Sequence, residues 1–96
     1  MDANTKLKRS ANATFQIVAE EAILIHLNSG IYFSLNKVGT EFWNMLDGEQ
    51  TIAQHAATLA KKYEVDAAMV TSDLLELAGK MAKDDLVDSV LSLVSI

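Results

Sequence analysis

The side chains best suited to chemistry in this chain are few and scattered. It has two histidines, His26 and His55, and no cysteine. Disulfides, thiolate nucleophiles and cysteine-bound zinc are therefore excluded, and two imidazoles cannot make a three-histidine metal site. Neither histidine has the spacing of a metal or acid–base motif: His26 falls in an alternating apolar run, and His55 lies beside a helical apolar stripe. Asp84, Asp85 and Asp88 form an acidic cluster, but it lacks the alternating acids and central glycine of a calcium loop and reads as a solvated face. Gly39 stands alone and makes no phosphate loop. Ser10, Ser29, Ser34 and Ser72 lack the context of a nucleophile elbow. Eight basic against thirteen acidic residues leave a net charge of −5, and Lys6, Lys8 and Arg9 alone make a poor nucleic-acid footprint. The expectation is a protein with no catalytic residues, no metal and no cofactor.

The elements that remain define a shape. Ninety-six residues, half of them hydrophobic and 22% charged, suit a single globular domain. From residue 14 to 35 the apolar period is two, the mark of strands that turn one face to a core. Phe15, Ile17 and Ala19 carry the first run. Ile23, Ile25 and Leu27 alternate with Ala22, Leu24 and His26 in the second, and Ile31, Phe33 and Leu35 carry the third. Asn28, Ser29 and Gly30 read as a hairpin loop with Gly30 in the left-handed position; Glu20 and Glu21 must turn the first hairpin.

Beyond Leu35 the period becomes helical. Asn36 is an N-cap, followed by a stripe of Val38, Phe42, Met45 and Leu46, with Gly48 suited to a left-handed position after it. Thr51 and Gln54 form a capping box ahead of Ile52, Ala56, Leu59 and Tyr63. Asp66 caps a third helix with a stripe of Val70, Leu74, Leu77 and Met81, which Gly79 is expected to bend or stop. Trp43 and Tyr63 lie near these stripes and read as packing residues. The result is an α+β domain, a three-stranded antiparallel sheet followed by three helices that cover one of its faces. The division expected is a flexible N-terminal segment at 1–13, the domain at 14–87 and an apolar C-terminal tail at 88–96. Residues 86–96 fit neither period and are open to three readings: a last strand, a short helix or an apolar tail.

A three-stranded meander has two edges with unpaired N–H and C=O groups. The third strand, residues 31–35, has no lysine or proline to block another chain. Either a helix or the tail covers this edge, or it accepts an extended peptide as a fourth strand.

An ordered set of residues carries a family resemblance. Ser29-Gly30-Ile31-Tyr32-Phe33-Ser34-Leu35-Asn36, then Gly39, Trp43, Leu46-Asp47-Gly48 and Thr51-Ile52, resembles the PqqD-like family. Leu59, Tyr63, Val65-Asp66, Val70 and Asp73-Leu74 extend the likeness, which spans roughly residues 22–87. Members are RiPP recognition elements, small domains that bind the leader segment of a ribosomally made precursor peptide. The resemblance implies a fold related to winged helix-turn-helix domains, with the leader added to the third strand and lying beside the third helix. The residues so implicated are Tyr32, Phe33, Ser34 and Leu35 on the strand, and Val70, Asp73, Leu74 and Leu77 on the helix. Asp73 and Glu76 would meet basic leader residues. The implied partners are the precursor leader peptide and a peptide-modifying enzyme or leader peptidase, to which the leader is presented.

Two departures qualify the likeness. Members serving pyrroloquinoline quinone synthesis usually carry Tyr-Pro-Glu-Gly before the third strand. This chain has Leu27-Asn28-Ser29-Gly30 and no proline, so it is more similar to free-standing members found with lasso-peptide leader peptidases or radical enzymes. The second departure is Gly79-Lys80-Met81-Ala82-Lys83-Asp84-Asp85-Leu86, in place of the family's leucine pair and Gly-Leu. Two other readings stand beside leader binding. A winged-helix-like DNA-binding regulator would need a basic helix, for which Lys61, Lys62, Lys80 and Lys83 are the candidates. A dimerising structural or adaptor protein would pair through the sheet edge or the apolar tail. With no signal-like segment and no apolar run of membrane-spanning length, the expected location is the cytoplasm, with no membrane partner and no nucleic acid.

Overall fold

The computed structural model describes residues 1–90. The elements run β1 (Leu7–Arg9), β2 (Ala13–Val18), β3 (Glu21–His26), β4 (Tyr32–Ser34), α1 (Lys37–Met45), α2 (Ile52–Tyr63), α3 (Ala67–Lys83) and β5 (Val87–Ser89). Strands β2, β3 and β4 form the antiparallel meander in that order. Register places Leu24 between Phe15 and Phe33, and Ile25 between Thr14 and Tyr32. Ala22, Leu24 and His26 therefore face the helices and are buried, while Ile23 and Ile25 face away and are half-buried.

Local chemistry sets most of the boundaries. Gly30 holds φ +73° in the hairpin before β4. Asn36 caps α1 through Gly39 N–H, Thr51 and Gln54 form the reciprocal capping box of α2, and Asp66 caps α3. The first hairpin turns at Ala19 and Glu20 instead of Glu20 and Glu21. Both residues have positive φ, 51° and 68°, the backbone form that a two-residue turn needs to match the twist of its strands. Without a glycine there, composition carries no signal of it.

Structure extends to both ends of the described chain. The segment expected to be flexible contains β1, which pairs antiparallel with β5: Leu7 opposite Ser89, Lys8 opposite Asp88 and Arg9 opposite Val87. Leu7 is only 1% exposed. Gly48 N–H donates to its carbonyl, and Ile52 N–H donates to that of Thr5. The Arg9 guanidinium stacks 4.7 Å from the Phe15 ring centroid and 5.0 Å from that of Trp43, and donates to the Trp43 carbonyl. A lone leucine among lysines gives no periodicity, and its strand partner lies at the far end of the chain. The boundary at 87 likewise falls inside β5. Residues 91–96, most of the apolar tail, lie outside the described residues.

In α1 the buried face is Gly39, Thr40, Phe42 and Trp43. Of the expected stripe Phe42 is fully buried, and Val38, Met45 and Leu46 pack half-buried against the core, Leu46 as the extended cap. Helix α3 continues through Gly79 to Lys83 and buries Val70, Leu74, Ala78 and Met81. Gly79 is exposed and solvent-facing, so nothing in the packing interrupts the helix. The core joins these residues to Leu24, Leu35, Phe42, Trp43, Ile52, Leu59 and Leu86.

Candidate functional site

Strand β4 pairs only with β3 among the described residues. The direction of its main-chain groups follows from the bonds at its two ends. Leu35 N–H donates to Ala22 O, and His26 N–H donates to Ile31 O. In an antiparallel ladder, residues with inward-pointing groups alternate with residues whose groups point outward. Ile31, Phe33 and Leu35 therefore bond toward β3, and Tyr32 and Ser34 direct their N–H and C=O groups to the open edge. These are the groups an added strand would use.

Beside this edge runs a groove of about 730 Å³, bounded by β4, the start of α1, the end of α2 and one side of α3. Seven of the eight residues singled out from the sequence line it: Phe33, Ser34 and Leu35, with Val70, Asp73, Leu74 and Leu77. Tyr32 does not. It is 71% exposed and stands on the outer face of the sheet opposite Ile25. The lining separates by depth. Leu35, Val70 and Leu74 are buried core residues that make the floor, whereas Phe33 and Leu77 are half-buried and present surface to an occupant.

Sequence reasoning missed Val65 and Met69, which line the same groove and are exposed apolar residues. A signal existed. Met69, Asp73, Glu76 and Lys80 recur at steps of four, three and four, a second helical row flanking the apolar stripe. Tyr63 and Leu59 of α2 complete the wall. Glu41 of α1 accepts from Lys62 of α2 next to this wall. That bond holds the Glu41 carboxyl below its usual range and raises Lys62.

Neither histidine faces the groove. His26 accepts from Ser29 N–H at Nδ1, 3.1 Å, which assigns the proton to Nε2, 2.9 Å from Asp85 Oδ2. Asp85 also receives Asn12 Nδ2 at 2.9 Å and Ser10 Oγ at 3.4 Å. The His26 bond is the main reason its carboxyl sits below the ordinary aspartate range. Thus one member of the acidic cluster is tied into the fold, contrary to the solvated face expected, and His26 braces the loop that delivers β4. His55 is 1% exposed and packs edge-on to Phe42 with 5.7 Å between centroids. Burial lowers its pKa, so it is held as neutral imidazole. No group of three His, Cys, Asp or Glu residues able to hold a metal occurs among the described residues, and none of the described helices is long and apolar enough to cross a membrane.

An open strand edge beside an apolar groove, on a three-strand, three-helix frame, is an arrangement to which an extended peptide can add as a further strand. Residues 21–87 match the family described as coenzyme PQQ synthesis protein D, PqqD, and the chain belongs to that family. Among solved structures it is similar to TbiB1 in complex with the TbiA(beta) leader peptide, at 27% identity and a TM-score of 0.76, covering 84% of this chain and 94% of the other. It also shares its fold with lasso peptide synthetase B1 complexed with the leader peptide, at 18% identity and a TM-score of 0.76, covering 86% and 98%. No curated protein matches the chain.

Proposed function

We propose that this protein binds the leader segment of a ribosomally synthesised precursor peptide, as a fourth strand on β4, and presents it to a peptide-modifying enzyme or leader peptidase. The observation that carries this reading is the open β4 edge lying along a large apolar groove. Outward main-chain groups of Tyr32 and Ser34 supply affinity that is indifferent to sequence, and the groove between Phe33 and Leu77 reads alternate peptide side chains. The likeness to a protein solved with a leader peptide supports the same assignment. The protein itself acts by binding and not by catalysis, in the cytoplasm where precursors are made.

The DNA-binding reading gains nothing from the fold. Lys62 pairs with Glu41 and Lys80 with Glu76, so two of the four candidate lysines are already matched by acids. A second copy paired through β4 would occupy the same edge as the leader.

The test is an NMR titration of labelled protein with leader peptides encoded beside its gene. Shifts confined to residues 31–35, 69–77 and their neighbours are expected. Silence against every such peptide, with sedimentation showing a monomer, would overturn the reading. A dimer that dissociates on adding peptide would identify the second copy as a competitor for the edge.

A further inference from the structure

The groove carries an uneven charge along one wall. Its charged lining residues are Asp73, Glu76 and Lys80, all from α3. Glu76 and Lys80 form an ion pair at 3.4 Å and largely cancel. Asp73 is exposed, and no hydrogen bond or ion pair joins its carboxylate to another described residue. The apolar body of the groove is thus edged by one uncompensated negative charge, next to the half-buried Leu77.

The spacing sets where an occupant would meet that charge. The lining from Met69 to Lys80 shows that the groove follows α3, for about 16 Å at a rise of about 1.5 Å per residue. Asp73 and Leu77 are one turn apart, about 6 Å along that axis. In an extended peptide only alternate side chains face the same way, and they recur about every 6.7 Å. A peptide that runs along α3 with one side chain seated between Leu77 and Phe33 would bring one of its two nearest groove-facing neighbours level with Asp73.

Resting on the leader-binding reading above, we propose that Asp73 is a specificity determinant: it selects peptides that carry lysine or arginine two residues from the apolar side chain seated in the groove. The pairing is between an anionic wall and a cationic side chain in a partly solvated site. Its contribution is to choice among peptides more than to total affinity.

The test is selection from a displayed library of random 12-residue peptides on the full chain and on Asp73→Lys. Enriched peptides are then measured by fluorescence anisotropy against both proteins and against Asp73→Asn and Ser34→Pro. The parent protein is expected to enrich an aliphatic or aromatic residue with Lys or Arg at two positions' distance. Asp73→Lys should enrich Asp or Glu at that place, and should bind the parent's peptides about five- to tenfold more weakly. Asp73→Asn should fall between. Because Asp73 is exposed and unpartnered among the described residues, these variants should fold, which circular dichroism checks. Apolar pairs enriched alike by both proteins, with no charge preference, would overturn the role of Asp73 while leaving leader binding intact. Failure to enrich any peptide whose binding depends on the Ser34 N–H would overturn both.

Discussion

The sharpest consequence of the β4 geometry is that neighbouring prolines should act on different properties, one on binding and the other on stability. Ser34 directs its N–H to the open edge, and Phe33 directs its N–H to Leu24. Ser34→Pro therefore deletes one donor available to an incoming strand without touching the β3–β4 ladder, and proline is tolerated at edge positions of this kind. A net main-chain hydrogen bond contributes about 0.5–1.5 kcal/mol, or roughly a two- to twelvefold change in Kd at about 1.4 kcal/mol per decade. The proline ring also hinders close approach of the new strand, so a loss at the upper end of that range is expected. Ser34→Ala keeps the donor and should bind within about twofold of the parent. Phe33→Pro removes a rung between β3 and β4, and should appear first as lost stability. The assay is anisotropy of a labelled leader peptide. Folding is followed in parallel through Trp43, the single tryptophan, which is fully buried. Equal binding by folded Ser34→Pro and Ser34→Ala would refute strand addition at this edge.

Other outcomes follow from the packing. Leu7→Ala should cost about 2–5 kcal/mol, the range for truncating a buried leucine, while Lys8→Ala should change stability by less than about 0.5 kcal/mol; equal effects in urea unfolding would mean β1 is not part of the folded unit. Gly79→Ala should stabilise by about 1 kcal/mol, because Gly79 lies in the exposed interior of α3 with nothing within 4 Å of an added Cβ; an unchanged unfolding midpoint would refute this. His55 has a pKa lowered by burial, so the unfolded chain binds the extra proton. Its contribution is present above the unfolded value of about 6.5 and is lost as pH falls through that value. His55→Leu should flatten the decline in stability between about pH 7 and 5. Asp85, lowered chiefly by His26, contributes above about pH 3.9 and loses that contribution at lower pH. An unaltered pH profile in the His55 variant would contradict its neutral, buried state.

What the sequence determined here is mostly local. Asn36, Thr51 with Gln54 and Asp66 each satisfy backbone N–H groups within a few residues, and Gly30 adopts the positive φ of its turn without strain. Their positions therefore fixed three helix starts and one hairpin before any packing was known. The period-two and helical stripes likewise set the order of strands and helices, and the family likeness selected seven residues that do line one groove. Tertiary structure decided what depends on distant partners. Leu7 is core only because Val87–Ser89 returns beside it. Asp85 is structural only because His26, Ser10 and Asn12 converge on it. Tyr32 and Phe33 look alike as adjacent aromatic strand residues. Yet the ladder sends the main-chain groups of one to solvent and those of the other to β3, with their side chains on opposite faces. That parity is fixed by which rung pairs with Ala22 and which with His26. Such a pairing is a contact between strands, and no spacing within one strand encodes it.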